Sequence, residues 1–244
     1  MTEIPGWPGG LGLRNYPILD STNEEARRLA RAGERGPLWI VAREQRSGRG
    51  RRGHAWISQS GNLFATLLTR APAPVAAQLG FAAGLAAAEA IAALAPSAQV
   101  SLKWPNDVLL EGRKAAGVLL ETWTGDALAI GIGINLANHP GETEFPAISL
   151  AAVSGCAADP DDVLLRLAAS MAAWYELWRE EGFAPVRAAW LKRAAGLNHP
   201  ILARLAECEM EGVFEDLDED GALLLRAPTG ALSRITAGEV FFRT

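Results

Sequence analysis

The chain has 244 residues, of which 49% are hydrophobic and 21% are charged. These proportions are those of a globular protein with one large core and room for a small additional domain, and they exclude a disordered or fibrous chain. The formal net charge of −5 excludes a general attraction of the surface to nucleic acid or to an anionic membrane. Any basic cluster is therefore a local feature.

Cysteine usage and hydropathy predict a cytoplasmic protein with no membrane association. Cys156 and Cys208 show no CxxC spacing and no histidines in metal-ligand register, which favours reduced thiols over a disulfide or a zinc site. The first ten residues lack the basic region and apolar run of a signal peptide. The apolar stretch 75–95 is mostly alanine and glycine and contains Glu89, and a carboxylate within a membrane span costs about 2.5–3.5 kcal/mol. That stretch predicts a packed core helix.

The amino-terminal third predicts one helix and two strands. Residues 1–19 are rich in proline and glycine and predict an irregular lead-in. The serine, threonine and glutamates at 21–25 match a capping box, which predicts a helix that ends at Gly33. Strand patterns follow at 38–42 and 62–70, with a loop of glycine and arginine between them.

The remainder of the chain predicts a second run of strands, then helices, then short strands. Strands are predicted at 100–104, 108–110, 117–122 and 127–136, and helices at 75–95, 160–181 and 185–195. From Pro200 onward the helical patterns give way to short strands around a turn at 218–221. The predicted fold class is α+β, with a large domain of strands and helices at 1–196 and a small all-β domain at 197–244.

The most distinctive segment is the loop 43–54, which holds five arginines, three glycines and one glutamate, a local charge of +4 (5 − 1). Glycine lets a backbone approach a ligand closely, and arginine donates several hydrogen bonds to phosphate or carboxylate. Such a loop is suited to close over a small anion. Repulsion among its charges predicts disorder until the anion binds.

Other interpretations of this loop are a solvated basic segment or an RNA-binding segment. RNA binding is disfavoured because no aromatic residue is interleaved before Trp56 and no second basic patch extends the footprint. The loop matches neither the GxxxxGK[ST] of a P-loop nor a GxGxxG that opens a dinucleotide-binding helix. Taken alone, it favours the plain basic segment.

Polar residues interrupt two later strand patterns. In the segment 103–107, Lys-Trp-Pro-Asn-Asp, the proline breaks an apolar run and predicts a bend that presents Asn106 and Asp107. Lys114 follows a predicted hairpin turn and has small apolar neighbours, a setting in which a lysine commonly meets an anion. An edge lysine that faces water is the alternative.

Two further segments are weak when taken singly. Gly131 and Gly133 alternate along a strand that ends at Asn135, so two absent side chains lie on one face and leave room for a flat ligand or another backbone. Tight strand packing is the alternative. Ser21–Asn23 by itself is an ordinary helix cap.

These segments occur together and in a fixed order, and the combination resembles the biotin protein ligase family. The motifs are Ser-Thr-Asn at 21–23, Gln45, Gly-Arg-Gly-Arg-Arg-Gly at 48–53, Lys-Trp-Pro-Asn-Asp at 103–107, Lys114 with Gly117, and Gly-x-Gly-x-Asn at 131–135. The resemblance covers nearly the whole chain, including 218–225 and 237–240. It implies a class II synthetase-like (biotin–lipoyl ligase) catalytic domain with a mixed sheet, followed by a small SH3-like β-barrel.

The resemblance also implies roles for residues of this chain. For biotin and ATP binding it implies Ser21, Thr22, Asn23, Gln45, Arg49, Gly50, Arg51, Trp56, Asn106, Asp107, Lys114, Gly117, Gly131, Gly133 and Asn135. Lys114 and Arg51 are the implied catalytic residues at the carboxylate and the α-phosphate. Trp56 is implied to cover the adenine, while Asn106 and Asp107 would face the nucleotide and Mg²⁺. No side chain is predicted as a metal ligand.

The implied activity is ATP-dependent formation of biotinoyl-5'-AMP and transfer of biotin to a lysine of the biotin carboxyl carrier protein of a carboxylase. A homodimer is an expectation at family level. Larger family members carry an amino-terminal DNA-binding domain and act as repressors. Here the Ser-Thr-Asn motif begins at residue 21, so no DNA binding and no repressor function are expected.

Two alternatives remain open, one a related enzyme of the same fold and the other a protein of a different class. A lipoate–protein ligase or octanoyltransferase would share the catalytic architecture and a lysine at a comparable place. Such enzymes lack the arginine–glycine loop followed by Lys-Trp-Pro-Asn-Asp. A non-catalytic module that binds RNA or another anion would need only the basic loop.

Overall fold

The computed structural model describes residues 4–123 and 125–242, and most of its strands belong to one large mixed sheet. Its seven strands are β1 (Gly12–Leu19), β2 (Leu38–Gln45), β3 (Leu63–Arg70), β4 (Val100–Lys103), β5 (Asp107–Leu110), β6 (Arg113–Thr122) and β7 (Ala127–Ile134). They are arranged in the order β1-β2-β3-β7-β6-β5-β4. β1 and β2 are parallel, and the other neighbours are antiparallel.

Helices cover both faces of this sheet. They are α1 (Thr22–Arg31), α2 (Ala73–Leu94), α3 (Leu150–Ser154), α4 (Pro160–Glu181) and α5 (Phe183–Leu191). Successive residues of β2 point to opposite faces: Ile40 packs in a small cluster with Ala26 of α1, whereas Trp39 and Val41 join the main core with α2. The face of the sheet that α1 covers is left partly open above β6 and β7, and a cavity lies at that place.

Helix α2 is long and apolar enough to cross a membrane by length and composition alone. Most of it is instead buried in the main core, where it packs against α4 and against β4 to β7. The helix therefore has the environment of the packed core helix that the sequence predicts.

The carboxy-terminal strands form a second, antiparallel sheet of five strands. These are β8 (Pro200–Arg204), β9 (Glu209–Leu217), β10 (Leu223–Arg226), β11 (Leu232–Ile235) and β12 (Glu239–Phe242), in the order β11-β10-β9-β8-β12. The small β domain expected from the sequence is thus present as a five-stranded sheet. The predicted domain boundary near 196 falls in the connection between α5 and β8, and the division into two domains stays a prediction.

The structure departs from the sequence interpretation at the amino terminus. The predicted irregular lead-in is wrong from Gly12, where β1 begins; Pro17 lies inside this strand, and an edge strand accommodates a proline because one side needs no donor. The predicted capping box is also wrong, since the Ser21 side chain makes no cap hydrogen bond. Glu24 pairs instead with Arg27 and Arg49.

The two sheets share one continuous core, and Trp104 joins them. Its buried indole Nε1 donates to the Gly221 carbonyl at 3.0 Å. Gly221 adopts a φ of +85°, and a Cβ there would lie 2.5 Å from the Phe81 ring of α2. The carboxy-terminal sheet is therefore closely packed against the large one.

Replacing Trp104 with phenylalanine should lower the free energy of unfolding by about 1–3 kcal/mol, because the buried Gly221 carbonyl loses its donor. For a chain of this size that corresponds to a fall in Tm of about 2–4 °C per kcal/mol, measurable by calorimetry. Trp178→Phe is the matched control: its hydrogen bond to Gln78 is only partly buried, so water can replace the lost donor and a change within about 0.5 kcal/mol is expected. Equal changes in both variants would contradict a special role for Trp104.

Candidate active site

A cavity of about 380 Å³ opens on the α1 face of the large sheet. Every residue that the sequence predicts for the site lines this cavity. These are Ser21, Thr22, Asn23, Gln45, Arg49, Gly50, Arg51, Trp56, Asn106, Asp107, Lys114, Gly117, Gly131, Gly133 and Asn135. The strand order explains why, because β6 and β7 are neighbours and α1 and the arginine loop lie over them.

One end of the cavity is a buried network of neutral polar groups. The Thr22 backbone N–H donates to Gln45 Oε1 at 2.9 Å, and Gln45 Nε2 donates to the Ser58 hydroxyl at 3.0 Å. The Thr66 hydroxyl lies 2.8 Å from that of Thr22 and 2.7 Å from Asn23 Oδ1. Because these donors and acceptors are fixed by one another, this end presents preset directions to a polar ligand.

The two glycines of β7 make the floor of the cavity, but not as the sequence suggests. A Cβ on Gly131 would lie 2.4 Å from Asn23 Oδ1, and a Cβ on Gly133 would lie 2.5 Å from the Trp56 indole. The room expected for a flat ligand or another backbone is thus filled by two protein side chains. On β6, Gly117 also faces the Trp56 ring.

Replacing Gly131 with alanine should displace Asn23 and disturb the polar end of the cavity. Overpacking of this kind costs about 1–3 kcal/mol of stability. A shifted Asn23 should also weaken the binding of biotin, the ligand that the sequence resemblance implies, by about tenfold, since a buried hydrogen bond contributes about that much. Isothermal titration with biotin measures the second effect. Gly141→Ala is the control, because a Cβ there meets no atom within 4 Å. Unchanged affinity in Gly131→Ala would contradict this account of the floor.

The opposite end of the cavity carries two lysines on either side of one carboxylate. Lys114 Nζ lies 2.6 Å from Asp107 Oδ1, and Lys103 Nζ lies 3.4 Å from Asp107 Oδ2. A register shift between β5 and β6 falls next to Lys114, and such a bulge re-aims a side chain. The Lys114 side chain remains 28% exposed, whereas that of Lys103 is 5% exposed. Lys114 is therefore the lysine with access to a ligand.

Lys103 is a residue of the cavity that the sequence interpretation does not single out. Its ammonium lies 4.3 Å from the centre of the Phe145 ring and 5.7 Å from that of Phe241. Burial lowers the pKa of Lys103 below its ordinary value, and the nearby Asp107 carboxylate opposes that shift. Glu239 and Phe241 come from the carboxy-terminal sheet, which therefore forms part of the cavity wall.

Arg51 belongs to the arginine loop and contacts both the bend at 104–106 and the carboxy-terminal sheet. Its Nη1 is 3.4 Å from Asn106 Oδ1 and 3.4 Å from the Gly238 carbonyl. Burial, and next the neighbouring Arg52, lower the pKa of Arg51, while Asp107 raises it. A partly buried guanidinium with only long, neutral hydrogen bonds is well placed to bind an anion.

Asn135 is positioned by the chain around it rather than by the cavity. Its Nδ2 donates to the Ile148 carbonyl at 3.2 Å and its backbone carbonyl accepts from the Leu150 N–H.

The buried Trp56 Nε1 has no hydrogen-bond partner among the described residues. A buried donor without a partner is costly, and an acceptor on a ligand would satisfy it.

Comparison with known proteins shows the family of the chain. The model of the biotin/lipoate A/B protein ligase family matches residues 16–136, and that of the biotin protein ligase C-terminal domain matches residues 196–243. The biotin–[acetyl-CoA-carboxylase] ligase of Paracoccus denitrificans is 47% identical over 235 residues, which cover 91% of this chain and 97% of that protein. The chain belongs to the biotin protein ligase family.

Other members of the family are similar to nearly the whole chain at lower identity. The bifunctional ligase/repressor BirA of Escherichia coli (strain K12) is 33% identical, with 99% of this chain and 77% of that protein covered. A structure of the biotin protein ligase from Aquifex aeolicus in complex with biotin and ATP superimposes with a TM-score of 0.82 at 30% identity, covering 95% of this chain and 98% of that one. The α+β fold expected from the family resemblance is confirmed.

The lining residues of the cavity that the sequence interpretation missed include Lys103, Phe145, Glu239 and Phe241. It also missed Thr66 and Glu121, which form hydrogen bonds with lining residues. Thr66 alone gives a signal, as a polar residue at a buried position of a strand pattern. The others belong to no motif that the site interpretation used, apart from Lys103 within Lys-Trp-Pro-Asn-Asp.

Proposed function

We propose that this protein activates biotin with ATP to form biotinoyl-5'-AMP and transfers the biotinoyl group to a lysine of a biotin carboxyl carrier protein. The observation that carries the proposal is one cavity with a fixed neutral polar end, a floor of glycine, Asn23 and Trp56, and a cationic end at Lys114 and Arg51. Biotin has a matching sequence of groups: a polar ureido ring, an aliphatic chain and a carboxylate. The family membership supports the same activity.

In this proposal the polar end binds the ureido ring. Ser21, Thr22, Asn23 and Gln45 surround it, and Thr22 and Gln45 already hold each other in place. The valeryl chain then extends along the glycine floor toward Lys114. This orientation delivers the carboxylate, rather than the ring, to the cationic end of the cavity.

The first chemical step is an in-line substitution at phosphorus. A carboxylate oxygen of biotin forms a bond to the α-phosphorus of ATP, while the bond from that phosphorus to the bridging oxygen breaks and pyrophosphate leaves with its electron pair. Lys114 and Arg51 would stabilise the negative charge that gathers on the phosphate oxygens. Asp107, 2.6 Å from Lys114 Nζ, orients that ammonium.

The second step is acyl transfer. The neutral amine of a carrier lysine attacks the acyl carbon of biotinoyl-AMP, the bond from that carbon to the phosphate oxygen breaks, and AMP leaves as the lysine nitrogen loses a proton. The mixed anhydride is sensitive to water, so the arginine loop at the cavity mouth protects it when closed. Trp56 would provide the adenine side of the same enclosure.

Magnesium is proposed to enter with ATP. Among the described residues no group of three His, Cys, Asp or Glu side chains is placed to hold a metal ion. A magnesium ion bound mainly by phosphates and water needs only one or two carboxylates, so a site with Asp107 and Glu239 on its wall fits such an ion. The ion would neutralise charge on the departing pyrophosphate.

The remaining expectations from the sequence stay predictions. These are a cytoplasmic location, homodimerisation, and the absence of DNA binding and of repressor function. A gel shift with specific operator binding would contradict the last of them.

The decisive experiment is a mass measurement of a carrier domain after incubation with the protein, MgATP and biotin. An increase by one biotinoyl group that depends on ATP and on the protein is expected. Parallel reactions with lipoate and with octanoate distinguish the other ligases of this fold. Transfer of either acid in preference to biotin, or no biotin-dependent pyrophosphate release by folded protein, would overturn the proposal.

A further inference from the structure

A chain of hydrogen bonds joins the floor of the cavity to the arginine loop. The Thr66 hydroxyl lies 2.7 Å from Asn23 Oδ1, and Asn23 Nδ2 donates to Glu121 Oε2 at 2.7 Å. The same Glu121 carboxylate accepts from Arg49 Nη2, with distances of 3.2 and 3.3 Å to its two oxygens. Glu121 therefore contacts both a residue of the proposed biotin pocket and an arginine of the loop.

Glu24 holds the same arginine from a second direction. Its Oε1 lies 2.5 Å from Arg49 Nη2, and its Oε2 pairs with Arg27. Glu24 is in the first turn of α1 and Glu121 is near the end of β6, and their side chains are 17% and 26% exposed. Two partly buried carboxylates from different elements thus converge on one guanidinium nitrogen.

The contacts leave most of the guanidinium of Arg49 available. Every hydrogen bond of Arg49 recorded in the described part of the chain uses Nη2, and the side chain lines the cavity. Since a guanidinium has five N–H donors, those on Nη1 and Nε can still bind a ligand oxygen. The two carboxylates anchor the arginine without consuming its capacity to bind an anion.

These contacts also offset the charge repulsion within the loop. The +4 of residues 43–54 is expected to push the loop open, but Arg49 is compensated by Glu24 and Glu121, and Arg43 pairs with Asp161 at 2.6 Å. All of these partners belong to the protein itself. Contacts within the protein thus offset part of the positive charge of the loop.

We propose that Glu24 and Glu121 are positioning residues that hold Arg49 at the cavity mouth, and that Glu121 couples the state of the pocket at Asn23 to the closure of the loop. This proposal rests on the proposed function for the identity of the ligand. The contacts of Glu24 and Glu121 with Arg49 do not depend on that function. A loop that is already anchored loses less conformational entropy when a ligand binds, which favours retention of a reactive intermediate.

The expected effect of each carboxylate is moderate. Ion pairs with this degree of exposure are weak, so neutralising one of them should open the loop about two- to fivefold more often. Glu24→Gln removes one charge from Arg49. Glu121→Gln removes the other but keeps an amide oxygen that can accept from Asn23. Glu121→Leu removes both contacts and should in addition weaken the binding of biotin.

Hydrogen–deuterium exchange, measured with no ligand added, tests the anchoring directly. The reporters are the Gly50 and Trp56 amides, which bond to the carbonyls of His54 and Gly48 at 2.7 and 2.9 Å within the loop. Their exchange should be about two- to fivefold faster in Glu24→Gln and in Glu121→Gln, and faster still in the double variant. High salt should accelerate exchange in the wild type more than in the double variant.

Glu25→Gln is the matched control. It removes a carboxylate from the same helical turn, but Glu25 contacts Arg28 and Tyr16 and not the loop. Loop exchange should therefore remain at the wild-type rate, and exchange within β3 should be unchanged in every variant. Wild-type exchange at Gly50 and Trp56 in the double variant would overturn the proposal.

Release of labelled biotinoyl-AMP from the wild type and the double variant tests the consequence for the ligand. Release about fivefold or more faster in the double variant supports the coupling, and equal release rates contradict it. The two proposals fail separately. If loop exchange is faster in the double variant but the protein never forms an adenylate, the anchoring is retained and the ligase function is rejected. If the protein biotinylates its carrier but loop exchange is unchanged in the double variant, the ligase function is retained and the anchoring is rejected.

Discussion

Replacing Lys114 with alanine is expected to slow the formation of biotinoyl-5'-AMP by about 100- to 1000-fold, the usual cost of removing one donor that stabilises charge in a transition state. Lys114 presents its ammonium to the cavity beside Asp107, where the biotin carboxylate and the α-phosphate are proposed to meet. ATP- and biotin-dependent release of pyrophosphate measures this step before any carrier is involved.

The fold should survive this substitution. Asp107 keeps Lys103 as a partner at 3.4 Å, so no buried carboxylate is left without a cation, and Tm should change by only a few degrees. Arg113→Ala is the control, because it removes a neighbouring exposed cation from the same strand. Near-normal pyrophosphate release by Lys114→Ala would show that another residue stabilises the phosphate.

Arg51→Gly is expected to release biotinoyl-AMP about 10- to 100-fold faster than the wild type, because a charge-assisted hydrogen bond contributes about 1.5–3 kcal/mol. Arg51 reaches across the cavity to Asn106 and to the Gly238 carbonyl, so its loss also removes the contact between the loop and the carboxy-terminal sheet. Escaped adenylate should biotinylate lysines on bystander proteins, which streptavidin blotting of a mixture with albumin would detect.

Arg52→Gly is a closely matched control for that variant. It removes the same charge from the next position, but Arg52 is exposed and has a φ of 52°, a conformation that glycine adopts readily. Retention of the adenylate should be close to that of the wild type. If both variants leak equally, the net charge of the loop, and not the placement of Arg51, controls retention.

Much of the fold follows from local patterns. The strand pattern at 62–70 corresponds to β3, which is almost entirely buried and therefore mostly apolar. The helical periodicity at 160–181 corresponds to α4, because one face of that helix lies on the core. β1 is missed since it is a half-exposed edge strand with Pro17 inside it, and its pairing with β2 is not visible locally. The short helix α3 is missed because it has five residues and only Leu150 in it is buried, which leaves no apolar periodicity to detect.

The site residues can be named from sequence motifs, whereas the contacts that hold them depend on the tertiary structure. The sequence by itself predicted which side chains gather at one site, and the glycine–arginine loop, Lys114 and the alternating glycines all line one cavity. The strand that carries Lys114 was predicted only from Gly117, whereas β6 begins at Arg113.

Only the tertiary structure decided what positions those side chains. Arg51 and Gly238 are 187 positions apart, Asn23 and Glu121 are 98 apart, and Arg49 and Glu121 are 72 apart. Hydrogen bonds and ion pairs act over a few ångströms, so contacts at such separations exist only after the sheet brings its strands together. The glutamates that anchor the loop are ordinary surface charges in the sequence and become specific through that assembly.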